Sequence, residues 1–254
     1  MLFEGQCLSV NKLDNGGVEL RFDRKDLPIN KLDHKTLSEF KEAVALLNKD
    51  TAIKGLLITS AKKDFIVGAD ITEFIGWFGL PEDEFTARLL EVHKSFASME
   101  DFPFPTVSAI NGVALGGGFE LPLSTDYRIM TTNGRVGLPE INLGIFPGWG
   151  GSFRLPRLIG LDNAFKWVAT GKPQRPADAL KEGGVDAVVE PEKLYDAGLT
   201  LLERCMAGDM DFEARRVEKR NGIKLNKMEQ LMSFETARGM ILGKAGPHQK
   251  LCLT

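Results

Sequence analysis

Apolar and polar positions alternate over Val18–Phe22 (V-E-L-R-F), the two-residue period of a strand with one buried face. After the turn-like D-R-K-D-L-P-I-N the period changes. Leu37, Phe40, Val44 and Leu47 recur every three or four residues, which puts them on one face of a helix that Asp33 is placed to cap. Ile53–Thr59 (I-K-G-L-L-I-T) is a second, strongly apolar strand, followed by the polar S-A-K-K-D. Residues 65–74, F-I-V-G-A-D-I-T-E-F, move from apolar residues through glycine to a helix start, with Asp70 and Glu73 at capping-box spacing. Phe85, Leu89, Val92 and Phe96 stripe a helix over 82–99, which D-F-P-F-P ends.

Thr106–Ile110 is the next strand and runs on through N-G-V-A-L into Gly116, Gly117 and Gly118. A helix begins at Phe119–Leu123, and Asp126–Met130 returns as a strand. The glycine-rich G-I-F-P-G-W-G-G (144–151) precedes a helix carrying Phe153, Leu155 and Leu158; a helix near 162–170 and a short strand, D-A-V-V (186–189), follow. Repeated strand–helix alternation predicts an α/β fold with crossover connections. A boundary near 190 divides a domain over 1–190 from a helical extension over 191–254. In the extension, 193–207 and 226–243 read as helices joined by the charged D-F-E-A-R-R-V-E-K-R-N-G.

Composition narrows the function classes. A net charge of -3 with interspersed signs argues against a nucleic-acid surface as the main business. No apolar run approaches the roughly 18–20 residues that span a bilayer, and M-L-F-E-G-Q lacks the start of a signal peptide, so a cytoplasmic protein is expected. Cys7, Cys205 and Cys252 are odd in number and widely spaced, which suggests neither a disulfide framework nor a zinc site. His34, His93 and His248 show no metal spacing. The glycine loops complete no G-x-G-x-x-G, Walker or G-x-S-x-G pattern, so no nucleotide cofactor or metal is expected.

Three strand-to-helix junctions remain: Gly68-Ala69-Asp70, the triple glycine with Glu120, and the run containing Glu140. Glycines let a ligand approach the backbone, and the first helical turn offers N–H groups without intrahelical partners. Negative charge that develops during a reaction, as on a thioester enolate oxygen, gains most there. The N–H of Ala69 is the best second donor. Blander readings stand beside this one. The glycines would serve equally for a crowded helix–strand crossing, and both glutamates for first-turn acids near a helix dipole.

F-I-V-G-A-D-I-T-E-F, N-G-V-A-L-G-G-G-F-E-L and G-L-P-E-I-N-L-G-I-F-P-G-W-G-G-S-F-R-L-P-R resemble the enoyl-CoA hydratase/isomerase (crotonase) superfamily over residues 1–190. I-N-K-L-D, G-A-D-I-T-E-F and S-F-E-T-A-R-G-M resemble one branch, the N-terminal hydratase region of bacterial fatty-acid oxidation complex α-subunits. The resemblance implies a crotonase spiral of repeated ββα units with a helical C-terminal extension. It implies 2-enoyl-CoA hydration in β-oxidation, with Δ3–Δ2-enoyl-CoA isomerisation as a further activity.

By the same resemblance Glu140 gives a proton to C2, Glu120 orients and deprotonates the water, and the N–H groups of Ala69 and Gly117 form the oxyanion hole. Gly148 helps hold the water. Ile66, Val67, Gly68, Asp70 and Gly116 bind substrate, and Lys31 meets a CoA phosphate. Trp77 and Phe78 line the acyl tunnel or pack the core. No cofactor is implied beyond the coenzyme A of the substrate. The branch implies a thiolase β-subunit as partner, and other relatives form homo-oligomers. Those α-subunits continue into an NAD-dependent dehydrogenase, so the chain is expected to be a fragment, and its closing A-G-P-H-Q-K-L-C-L-T departs from the pattern. The alternatives are another crotonase chemistry, such as thioester hydrolysis, and a non-catalytic docking module.

Overall fold

The computed structural model describes residues 1–77, 79–223 and 225–245, so Phe78, His248, Cys252 and nearly all of the closing ten residues lie outside it. The strands among the described residues are β1 (Phe3–Glu4), β2 (Leu8–Lys12), β3 (Val18–Phe22), β4 (Leu56–Ser60), β5 (Thr106–Ile110), β6 (Val113–Leu115), β7 (Tyr127–Thr131), β8 (Arg135–Gly137) and β9 (Ala187–Val189). One sheet runs in the order β1-β2-β3-β4-β5-β7-β9, and β6 pairs separately with β8. The first three strands are antiparallel; every step from β3 to β9 is parallel.

A parallel step needs a crossover, and helices supply it. Helix α1 (His34–Lys49) links β3 to β4, α2 (Ile71–Trp77) and α3 (Glu82–Met99) link β4 to β5, and α4 (Gly117–Ser124) precedes β7. Asp33 caps α1 by accepting from Thr36 N at 2.9 Å, and Phe40, Val44 and Leu47 are buried as their spacing predicts. In α3 the apolar stripe divides its work. Val92 and Phe96 enter the core, while Phe85 and Leu89, nearer the N-terminus, face a cavity. The capping box at α2 is only half formed. Asp70 accepts from Thr72 N at 2.9 Å, but Glu73 reaches across to His34 N at 2.8 Å and caps α1 instead.

All five residues of β5 are buried, as a strand covered on both faces requires. Ile110 joins the main core with Phe22, Leu56 and Ile58. Val107 and Ala109 face the other way, onto a second core with Leu57, Ile129, Leu194, Leu202 and Cys205. After β8 the chain forms α5 (Gly151–Ile159), α6 (Leu161–Thr170), α7 (Pro176–Glu182), α8 (Leu194–Met206), α9 (Phe212–Arg220) and α10 (Lys227–Ala245). Helix α8 supplies the far wall of the second core, so the helical stretch after residue 190 covers a face of the sheet rather than standing apart.

The charged joining segment is itself helical, a correction to the reading of it as a connection. Asp211 caps α9 by accepting from Ala214 N at 2.8 Å. Its basic side chains turn inward: Arg215 pairs with Asp186, and Arg216 holds Asp126 and the carbonyls of Phe102 and Phe104. Lys219 Nζ donates to Thr125 O at 2.9 Å. No described helix is long and apolar enough to cross a membrane.

Candidate active site

Strand β6 delivers the chain to Gly116, whose φ of 53° and ψ of -130° suit glycine alone. The other two glycines answer to packing. A Cβ on Gly117 would collide with the Trp149 ring, and one on Gly118 with the backbone oxygen of Ile66. The crowded-crossing reading therefore holds at both. It does not exhaust Gly117, because its N–H begins α4 and has no backbone acceptor among the described residues. Ala69 reaches the same cavity from the other side. Gly68 O accepts from Leu32 N at 2.8 Å and Asp70 N donates to Leu32 O at 3.1 Å, so these neighbours take the ladder and the N–H of Ala69 points the opposite way.

Glu120 lies in the first turn of α4, 2 % exposed. Its Oε1 accepts from Trp149 N at 2.9 Å and Gly151 N at 2.7 Å. Gly151 permits this approach, since a Cβ there would stand 2.9 Å from the same oxygen. Glu140 opens a 3-10 turn, Glu140–Leu143, directly after Pro139. Its Oε2 is buried without a hydrogen-bond partner, and its Oε1 lies against Gly116, 3.1 Å from where a Cβ would be.

Both carboxyls hold their protons more tightly than usual, for related reasons. Burial pushes Glu120 up to about 7, against the pull of the two N–H donors and Arg154. Burial pushes Glu140 up to about 8, and the charge of Glu120 adds to that rise. The pair titrates together. Glu120 accepts from two neighbouring N–H groups, whereas Glu140 has only its own backbone N–H to favour its anion, so Glu120 is the more readily ionised of the pair.

The two glutamates face a cavity of about 430 Å³ whose apolar wall includes Val67, Ile71, Phe85, Leu89, Leu143 and Phe146. Of the positions singled out in the sequence, Val67, Gly68, Ala69, Gly116, Gly117, Glu120, Glu140 and Gly148 line it. Ile66 lies beneath, fully buried, with its carbonyl under Gly118.

Three positions, Lys31, Asp70 and Trp77, fall elsewhere. Asp70 is engaged by Lys31 and Thr72 outside the cavity, because a carboxylate at a helix start is drawn to the N–H groups there. That contact raises the Lys31 ammonium and holds Asp70 well below the usual carboxylate range. Trp77 lies in a separate groove with His34, Leu37 and Lys41, and the Arg88 guanidinium sits 5.8 Å from its ring centre. Carboxylate oxygens of Asp33, Asp70 and Glu73 come within 4.8 Å of one another, but Arg24, Lys31 and His34 N already engage them.

Sequence reasoning passed over Trp149, Gly151, Phe85 and Leu89. The P-G-W-G-G run was the available signal for the first two, since glycines on both sides of an aromatic let backbone N–H groups reach a neighbour. Two backbone N–H groups, a carboxyl held by two further N–H groups and a second carboxyl that is harder to ionise meet on one apolar cavity. Such a set can move protons at carbons next to a thioester.

Comparison with known proteins is consistent with that chemistry. Residues 14–236 match the family described as enoyl-CoA hydratase/isomerase. The fatty acid oxidation complex subunit alpha of Pseudomonas syringae pv. syringae (strain B728a) is 51% identical over 248 residues, 98% of this chain and 34% of that protein. The subunit alpha of Pseudomonas paraeruginosa is 52% identical, over 98% of this chain and 35% of its own length. The chain thus spans about a third of the length of these curated relatives. Among solved structures, an enoyl-CoA hydratase from Bacillus anthracis superposes with a TM-score of 0.74 at 30% identity, covering 94% of this chain and 92% of that one. An enoyl-CoA hydratase from Mycobacterium smegmatis, at 22% identity and a TM-score of 0.72 over 95% and 92%, shares the fold.

Proposed function

The chain belongs to the enoyl-CoA hydratase/isomerase family, and from that premise we propose that it adds water across the C2–C3 double bond of 2-enoyl-CoA thioesters in fatty-acid β-oxidation. The observation that carries the reading is the unequal pair of buried carboxyls, Glu120 and Glu140, on one cavity with the N–H groups of Ala69 and Gly117.

The thioester oxygen takes the two N–H donors. Glu120 accepts a proton from water as the water oxygen bonds to C3. The π electron pair of C2–C3 moves toward C2 and the thioester oxygen, where the N–H pair stabilises the enolate charge. Glu140 then gives its proton to C2. The reaction leaves Glu120 protonated and Glu140 charged, and a proton passed through the next water restores the pair. The backbone of Ile66–Gly68 is the proposed rest for the CoA end. Lys31 would serve a phosphate only on leaving Asp70. The names of the relatives support assembly with further subunits, for which a thiolase β-subunit is the proposed partner.

Loss of the conjugated thioester absorbance of crotonyl-CoA tests the reading. Turnover by the folded chain should fall about 10²–10⁴-fold in Glu120→Gln and in Glu140→Gln. A folded wild-type chain without turnover would return the docking-module reading. The unpartnered Oε2 of Glu140 also favours Δ3–Δ2 isomerisation, in which one carboxyl shuttles one proton. In that case 3-enoyl-CoA turnover survives Glu120→Gln and is lost in Glu140→Gln.

A further inference from the structure

The donors that hold Glu120 sit on a glycine-rich loop whose one large side chain, Trp149, packs in the core against Phe96 and Gly117. The peptides on either side of Gly150 have a separate anchor behind the loop. Arg154 lies there, 3 % exposed, in the first turn of α5. Its Nη1 donates to Trp149 O at 3.1 Å, and its backbone N donates to Gly150 O at 2.8 Å. Gly150 has φ 106°, and any side chain there would collide with this guanidinium. The other edge of the fork is bidentate to Glu100, with Nε to Oε1 at 2.9 Å and Nη2 to Oε2 at 2.8 Å. The Arg154 guanidinium thus holds the peptide before Gly150 and its backbone N–H the peptide after it, and the neighbours Trp149 and Gly151 present their N–H groups to Glu120.

We infer that Arg154, oriented by Glu100, is a positioning residue for the hydration: it holds the Trp149–Gly151 loop so that two N–H groups stay on Glu120. The grip extends further back. Glu100 ends α3, and α9 secures the turn after it, with Arg220 Nη2 donating to Glu100 O at 2.7 Å and Arg216 to the carbonyls of Phe102 and Phe104. A helix that touches no part of the cavity therefore braces the base of the reaction through four successive contacts. The charged and titratable groups facing this cluster are Glu140 across the cavity, His93 on α3 beside Gly150, and Lys219 on α9.

A bidentate fork cannot be replaced by a lysine without losing geometry, even though charge is kept. Arg154→Lys should lower kcat for crotonyl-CoA about 10–100-fold, in the range of lost supporting contacts, with KM within about threefold. The acid limb of the kcat–pH profile should move upward, because Glu120 loses donors that favour its anion. The backbone amide proton resonances of Trp149 and Gly151 should move upfield and cease to follow the Glu120 titration. Glu100→Gln should move the same readouts in the same direction by less, and it carries the test if Arg154→Lys does not fold. Folded variants with unchanged kcat, pH profile and amide shifts overturn the inference. Its kinetic arm rests on the hydratase reading, whereas the amide shifts decide the anchor even in a chain that does not turn over crotonyl-CoA.

Discussion

A buried acceptor left without a partner costs a folded chain about 1–3 kcal/mol, and Glu140 Oε2 is such an acceptor. Its cost depends on pH in a definite sense. The folded state holds the proton up to about 8, against an ordinary value of 4.5, so over that interval the folded chain binds the proton more readily than the unfolded one. Stability from this group is therefore complete near pH 4.5 and is lost as pH rises toward 8. Glu140→Gln removes the titration. Its unfolding free energy relative to the wild type should rise between pH 5 and pH 8.5 by about 2–4 kcal/mol, read from urea transitions at the two values. An equal difference at both would show that the carboxyl is not held protonated. At this scale the sequence was partly legible. Glu120 and Glu140 stood out as acids beside glycines, but their unequal environments come from Trp149 N and Gly151 N, which no side-chain pattern displays. The Lys31 and Thr72 contacts of Asp70 were not legible, because a helix-start acid looks the same whether it serves a ligand or a cap.

Elements whose burial is apolar could be read in advance. Val18, Leu20 and Phe22 of β3 and the apolar face of the Asp33-capped α1 are buried as their spacing predicts, although Glu19 on the other face of β3 is buried too, accepting from Thr59. Helix α9 could not be read this way, since what it buries is charge and carbonyl oxygen, and α7 is a seven-residue helix opening on Pro176 with too few positions to show a period. The inward face of α9 has a measurable consequence. Arg216 bonds both oxygens of Asp126, which is 1 % exposed and also takes Thr106 N at 2.8 Å. Removing one partner of a buried ion pair strands the other, so Arg216→Ala should destabilise the chain by about 3–5 kcal/mol. A thermal or urea unfolding series checks this. A loss below 1 kcal/mol would mean that α9 rests on the surface without bracing it.

For the molecule as a whole, strand–helix alternation announced parallel crossovers, and the family resemblance supplied the spiral. Local patterns could not give the pairing of β9 with β7 or the separate β6–β8 pair, because both join segments that are distant in sequence. The second core is likewise non-local. It sets Leu57, Val107, Ala109 and Ile129 of the sheet against Leu194, Leu202 and Cys205 of the chain after 190. A chain of residues 1–190 would expose that sheet face and leave Asp126 without Arg216. It should bind a hydrophobic dye and unfold without a cooperative transition, whereas residues 1–254 should unfold in one. A cooperative transition in the shorter chain would make 190 a folding boundary.

The three glycines before Glu120 also bear on how the history of such a chain is read. Gly116 is fixed by its backbone angles, Gly117 by the Trp149 ring and Gly118 by the carbonyl of Ile66, so each would be retained in a descendant that had lost all activity. Glu140 is under the opposite pressure, since the fold gains from giving it up. In a lineage descending from this protein, the triple glycine would record inherited architecture, and an unbroken glutamate at 140 would be the living trace of selection for the reaction.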